Sequence, residues 1–121
     1  MILVDTSIWI DHLRKGNVTL QKLLERGAVL SHPLIAGELA MGSLKQRDVI
    51  LSALQDLPQA IPARNDEVMR FISERRLFGL GIGYIDAHLL AAVRLTPDAL
   101  LWTRDTRLHK VAEKLSLAFA P

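Results

Sequence analysis

The sequence predicts an α/β fold built on a short parallel sheet, and two observations carry that prediction. The strongest apolar runs, Met1-Ile2-Leu3-Val4 and Ala99-Leu100-Leu101-Trp102, are continuous rather than alternating, as in strands covered on both faces. Between such runs lie longer segments with apolar residues at helical spacing, opened and closed by capping residues, glycine and proline. Short buried strands alternating with helices give a parallel sheet with helices packed on its faces.

Met1 to Val4 reads as the first strand, and Thr6-Ser7 then caps a helix to about Arg14, ended by Gly16-Asn17. A second helix, Thr19 to Glu25, carries Leu20, Leu23 and Leu24 on one face and is closed by Gly27. Ala28 to Ser31 is the second strand. Pro33 opens the next helix at a position where its missing N–H costs nothing. Leu44 to Leu57 reads as a helix stopped by Pro58, and Gln59 to Ile61 as a third strand. Asn65-Asp66-Glu67 starts a helix with a cap and two acids suited to its positive end, and that helix finishes near Leu77. The loop Gly79 to Gly83 leads into a helix terminated by Thr96-Pro97. Ala99 to Trp102 is the fourth strand, followed by a helix to about Leu115 and a final edge strand, Leu117 to Phe119.

At 121 residues the chain has room for one core, and with half its residues hydrophobic and no low-complexity tract it should be ordered throughout. Cysteine is absent, which excludes a disulfide framework and thiolate metal sites and suits a reducing compartment. No apolar run is long enough for a membrane span, and the N-terminus lacks the basic region of a signal peptide, so a soluble, cytoplasmic protein is expected.

Four carboxylates stand in apolar surroundings. Asp5 ends the first strand, Glu38 interrupts Pro33–Met41, Asp86 lies within Tyr84–Val93, and Asp105 follows the fourth strand by three residues. In open parallel sheets ligands bind beyond the carboxyl ends of the strands, where Asp5 and Asp105 must fall. Glu38, one and a half turns into its helix, and Asp86, near the start of its own, can point back at that edge. Two carboxylates about 4 Å apart repel by roughly 4 kcal/mol at an effective dielectric near 20. A divalent cation with hard oxygen ligands, Mg²⁺ or Mn²⁺, would relieve that and would bring phosphoryl-transfer chemistry with it. The hydroxyls of Ser7 and Thr103 could support the site by holding a water or a phosphate oxygen. Each acid also has an ordinary reading. Asp5 could cap the first helix, Glu38 could pair with Lys45 or Arg47, Asp86 could be a first-turn acid, and Asp105 could be an N-cap.

The net charge of +2 acquires a meaning if a cation neutralises those four acids. The 13 acids less these four leave nine against 15 Lys and Arg, a surface that favours a polyanion. Arg104, Arg107 and Lys110 cluster beside the expected pocket as candidate RNA contacts, and Arg64, Arg70, Arg75 and Arg76 would join them if their helix borders the groove.

Val4-Asp5-Thr6-Ser7-Ile8-Trp9-Ile10-Asp11 resembles the opening of PIN-domain ribonucleases, specifically the VapC-type toxins of toxin–antitoxin pairs. Ala36-Gly37-Glu38-Leu39 with Gly42 is similar to the second acidic motif of that family, Ile85-Asp86-Ala87-His88-Leu89-Leu90-Ala91-Ala92 to the third, and Leu101-Trp102-Thr103-Arg104-Asp105 to its strand-end Thr-x-Asp motif. The resemblance runs in family order to about Ala112. It implies a three-layer α/β/α PIN-like fold, with a short, mostly parallel central sheet, over residues 1–121. It also implies a Mg²⁺- or Mn²⁺-dependent endoribonuclease with Asp5, Glu38, Asp86 and Asp105 as metal ligands, directly or through water. The implied reaction is attack of activated water on a phosphodiester of transfer or ribosomal RNA, leaving 5′-phosphate and 3′-hydroxyl ends. Homodimers and a cognate VapB-like antitoxin that blocks the acidic pocket are implied as well. Many members carry an aromatic residue shortly after the last acid, where this chain has Arg107-Leu108-His109.

Other features are expected to be structural. Asp11 reads as a solvated helix acid, Trp9 and Trp102 as core packing, and the four histidines lack the spacing of a zinc set. The glycines from 79 to 83 match no phosphate-binding fingerprint and read as a flexible entry to the Asp86 helix. A dehalogenase-like phosphatase would need an acid at position 7, which is serine, and a receiver domain would need an acidic pair near the first strand. The competing reading of another kind is a PIN-like module that binds nucleic acid or protein without cutting.

Overall fold

A computed structural model describes all 121 residues. Three strands, β1 (Ile2–Val4), β2 (Val29–Leu30) and β3 (Leu100–Trp102), form a wholly parallel sheet in the order β2-β1-β3. Ile2 pairs with Val29 on one side of β1 and with Leu100 on the other. Seven helices surround the sheet: α1 (Thr6–Lys15), α2 (Val18–Glu25), α3 (Pro33–Ala40), α4 (Arg47–Asp56), α5 (Asn65–Arg75), α6 (Tyr84–Leu95) and α7 (Thr106–Lys114). The result is a three-layer α/β/α arrangement. Leu3, Val4, Val29 and Leu101 are fully buried because helices cover both faces of the sheet, which is why their strands read as unbroken apolar runs. Every residue of α6 from Ala87 to Val93 is buried, the signature of a helix enclosed on all sides. No helix is long and apolar enough to cross a membrane.

Two of the expected strands are reduced to single parallel bridges. Gln59 meets Ser31 at one edge of the sheet, and Ala118 meets Leu101 at the other. The first cannot lengthen because Pro58 and Pro62 bracket it and supply no backbone donor. Helix α4 starts at Arg47 rather than Leu44, after Gln46 takes a left-handed conformation with φ 53°. It ends at Asp56 because Leu57, preceding Pro58, is held extended.

Helix caps also fall elsewhere than the sequence suggests. Asp5, not Thr6 or Ser7, is the N-cap of α1 and accepts the Thr6 N–H at 2.8 Å. Asn65 is the first helical residue of α5 rather than its cap, and the Glu67 side chain accepts the Arg64 N–H instead. His32 caps α3 through Nδ1, which accepts the Leu34 N–H at 3.0 Å.

The chain passes from β1 to β2 on one side and then crosses to β3 on the other. The strand order therefore reverses about β1, and the crevice beyond the carboxyl ends of β1 and β3 is the expected place for a ligand.

Candidate active site

Asp5 stands at that reversal point, with its N–H bonded to the Trp102 carbonyl at 2.9 Å. Its carboxylate is tied on both sides: Oδ1 accepts the Thr6 N–H, and Oδ2 accepts the Thr103 hydroxyl at 2.7 Å. The same Thr103 oxygen accepts the Asp105 N–H at 3.1 Å, so one buried hydroxyl joins the ends of β1 and β3. Asp105 turns its Oδ1 to the Arg107 and Leu108 N–H groups, capping α7. Glu38 reaches the group from α3, its Oε1 accepting the Thr6 hydroxyl at 2.9 Å. Asp86, at the third position of α6, accepts the Gly83 N–H at 3.0 Å.

The readings of Asp5 and Asp105 as caps and of Asp86 as a first-turn acid therefore hold without excluding a ligand, since each carboxylate oxygen carries two lone pairs. Glu38 does not pair with Lys45 or Arg47; Arg47 instead bonds the Ala40 carbonyl and approaches Asp48. Burial is uneven across the four acids, with Asp5 and Asp86 half-buried and Glu38 and Asp105 exposed.

Burial raises the Asp5 carboxyl above its ordinary pKa, and the nearby charges of Asp86 and Glu38 push it the same way, against the Thr103 and Thr6 hydrogen bonds. Three acids, one at the end of β1 and the others on α3 and α6, thus share one electrostatic field. No three acidic or histidine side chains stand close enough to enclose an ion directly. Mg²⁺ typically uses one or two carboxylates and keeps several waters, so the oxygen-rich set fits it with some contacts made through water. Ser7, two residues after Asp5, adds a hydroxyl that is buried with no hydrogen-bond partner in the protein.

The basic residues divide. Arg104 pairs with Asp11, so Asp11 is a half-buried partner that ties the β3–α7 turn to α1 and not the solvated acid its helix position suggests. Arg107 lies across Gly81, where an added Cβ would come within 2.7 Å of its guanidinium and Cδ. Gly81 has φ +80° and sits in the loop before α6, so the Gly79–Gly83 loop is packed against α7 through that arginine. Lys110 is exposed, while Arg64 is engaged by Asp66 at 3.0 Å. Trp9 and Trp102 are each 5% exposed and lie in the core, with Trp102 edge-on to Phe119.

A cavity of about 520 Å³ flanks Glu38, with Ile10, Leu13 and Leu39 on its walls and Arg14 and Lys45 also lining it. Four further residues, which share no motif in the sequence, meet on the other side of α6. Asn65 Oδ1 accepts the Tyr84 hydroxyl at 3.0 Å and bonds His88 Nε2 at 2.9 Å, and His32 lines the same cavity. His32, the cap of α3, and Asn65, the first residue of α5, lie far apart in sequence, so only the folded chain could have assembled them.

Comparison with known proteins shows the family. The family model described as PIN domain matches residues 2–114. Two curated relatives, each named Ribonuclease VapC32, come from Mycobacterium tuberculosis strains CDC 1551 / Oshkosh and ATCC 25618 / H37Rv. Each is 48% identical over 120 residues, covering 99% of this chain and 97% of the relative.

Proposed function

The chain belongs to the PIN domain family, and from that premise we propose that it is a VapC-type toxin, an endoribonuclease hydrolysing RNA phosphodiester bonds. The observation that carries this reading is the Asp5 carboxylate at the strand-order reversal. It is held by Thr6 and Thr103 and raised in pKa by burial and by the Asp86 and Glu38 charges. Such crowding is unfavourable alone and becomes useful around a cation.

In this proposal Asp5, Glu38, Asp86 and Asp105 hold Mg²⁺ or Mn²⁺, directly or through water, and are the catalytic residues. The bound cation would polarise the scissile phosphate and acidify a water molecule. Ser7 and Thr103 support the site: Thr103 fixes the Asp5 and Asp105 turns, and Ser7 offers its unpaired hydroxyl to water or phosphate. Water attacks phosphorus in line, the bond to the 3′ oxygen breaks, and 5′-phosphate and 3′-hydroxyl ends result. Arg107 and Lys110 contact the RNA backbone. Arg104 joins them with the donors that Asp11 leaves free, since its side chain is 56% exposed.

The substrate class we propose is structured RNA, transfer or ribosomal, met in the cytoplasm by a homodimer. A cognate VapB-like antitoxin would silence it. The cavity beside Glu38, apolar in its walls with two cations among its lining residues, suits an antitoxin segment carrying apolar and acidic side chains.

The test is cleavage of total transfer RNA by purified protein with Mn²⁺ or Mg²⁺, with EDTA, and by an Asp5→Ala variant. Metal-dependent cuts lost in both controls are the expected result. A folded protein that neither cuts nor binds metal would support a non-catalytic binding module.

A further inference from the structure

Of the two arginines in the β3–α7 segment, Arg104 is held by an acid, whereas Arg107 is held by the shape of a glycine. The Arg107 N–H bonds Asp105 Oδ1 at 2.9 Å, which fixes the root of its side chain at the cap of α7. From there the side chain reaches the loop before α6. An added Cβ at Gly81 would stand 2.7 Å from Arg107 Cδ and from Nη1, and 3.2 Å from Cζ. Carbon atoms rest about 3.5–4.0 Å apart, so only a residue without Cβ leaves the arginine this course. Gly81 also has φ +80°, but Gly79 in the same loop has φ +73° and nothing within 4 Å of its Cβ position. The two glycines answer the same backbone demand, and Gly81 alone answers a steric one.

Chain order puts this contact at the acid pocket. Helix α6 ends at Leu95 and β3 starts at Leu100, so α6 finishes at the amino edge of the sheet. At about 18 Å for its 12 residues it begins at the carboxyl edge, where α7 also begins after β3. The Arg107 side chain therefore runs from the Asp105 cap to a loop that ends at Gly83, whose N–H is bonded by Asp86. One arginine thus bridges the helix starts that carry two of the four acids. Arg104 and Arg64 each spend donors on an acid, but the Arg107 guanidinium forms no ion pair in the protein, and the residue is exposed. Its planar fork of donors is placed and still free.

We propose that Gly81 is a positioning residue for RNA: it seats the Arg107 guanidinium between the starts of α6 and α7, where the fork takes a backbone phosphate of the strand entering the acid pocket. The proposal rests on the nuclease reading above and adds the residue that pre-orders one phosphate contact. Four acids repel a polyanion, and a fixed cation between Asp105 and the Asp86 loop offsets that repulsion for the phosphate beside it. Arginine suits the task because its planar fork matches two phosphate oxygens at once. A long side chain that is immobilised only on binding weakens affinity by roughly 2- to 12-fold. Seating Arg107 beforehand on Gly81 removes that loss.

The test compares the full-length parent with Gly81→Ala, Gly79→Ala, Arg107→Ala and the double variant carrying both Gly81→Ala and Arg107→Ala. Binding of total transfer RNA is measured in EDTA from about 50 mM to 200 mM salt, where each phosphate contact adds about 0.7–0.9 to the slope of log affinity against log salt. Arg107→Ala and Gly81→Ala are each expected to lower the slope by about one such contact and to weaken binding at least roughly twofold. Gly79→Ala, with the same backbone strain and no clash, should keep the parent slope. On the Arg107→Ala background Gly81→Ala should change neither slope nor affinity. In cleavage with Mn²⁺, Gly81→Ala should raise KM and leave kcat within about twofold. A parent slope retained by Gly81→Ala overturns the seat, and a lowered Tm with that slope makes Arg107 a structural brace only. An equal loss in Gly79→Ala also overturns it, since backbone strain would then be the cause. Should Gly81→Ala fail to fold, ¹⁵N relaxation of the parent decides: an Arg107 Nε–H order parameter below about 0.6 marks a mobile side chain and overturns the seat. The expected slopes without metal-dependent cutting would overturn the nuclease reading alone, and cutting with equal slopes in every variant would overturn only the seat.

Discussion

Thr103→Val removes the one hydroxyl that joins the two strand ends while keeping the side-chain shape. Thr103 donates to Asp5 Oδ2 at 2.7 Å and accepts from the Asp105 N–H at 3.1 Å, and the residue is 7% exposed. A hydrogen bond to a charged group contributes about 1.5–3 kcal/mol and a neutral one about 1 kcal/mol, so the two together set a loss of roughly 3 kcal/mol. The added methyl returns some of this, and a net loss of about 2 kcal/mol is expected, a fall in Tm of several degrees for a chain of this length. The lost bond is also one of the two that oppose the burial of Asp5, so its carboxyl should rise further in pKa. With Asp5 and Asp105 no longer tied to a common atom, cleavage should fall 10- to 100-fold, as when a partner that orients a metal ligand is removed. Urea denaturation in EDTA and RNA cleavage across a Mn²⁺ titration measure both effects, with Thr103→Ser, which keeps the hydroxyl, as control. A valine variant within 0.5 kcal/mol of the parent, or a serine variant equally damaged, would refute the reasoning.

Two further outcomes follow from the same geometry. Asp86→Asn keeps an acceptor for the Gly83 N–H and removes a charge that burdens Asp5. It should therefore raise the melting temperature in EDTA, by about 1 kcal/mol of stability, and abolish stabilisation by Mg²⁺; an unchanged Mg²⁺ response would take Asp86 out of the metal site. His32 binds its proton less tightly in the folded protein, near pH 4, than in the unfolded chain, near 6.5, so the unfolded chain takes up more protons between those values. Its contribution is fully present above pH 6.5 and is lost as pH falls toward 4, by at most about 3 kcal/mol at 1.36 kcal/mol per unit. Asp5, raised in pKa, works in the opposite sense at the acid end, and His88 and Tyr84 are the titratable groups that share the His32 cavity. The informative quantity is thus the difference between parent and His32→Asn, which retains an N-cap oxygen for α3. Denaturant midpoints measured from pH 4 to 7 should be flatter for the variant, and identical slopes would remove His32 as the source.

How much of the molecule was legible before folding depended on the range of the interaction involved. Strands β1 and β3 were visible because both faces are covered, which leaves an uninterrupted apolar run that needs no knowledge of neighbours. Pro33, Pro58 and Thr96-Pro97 marked helix boundaries because they act on their own backbone. The edge segments at Gln59 and Ala118 were over-read, since a strand is defined by its partner and each found only one residue of pairing.

The sequence by itself determined the layered α/β plan and placed Asp5 and Asp105 at the carboxyl edge of the sheet, because periodicity and chain order are local properties. Tertiary structure alone decided that Thr103 reaches Asp5 across 98 positions, that Arg104 is claimed by Asp11 across 93, and that His88 meets Asn65 across 23. Each of those pairings is made only when crossovers of the chain bring two element ends together. The sequence carries no period that records such a meeting. The same physics sets the two histidines beside one cavity, where an apolar enclosure turns an ordinary side chain into an unpaired donor.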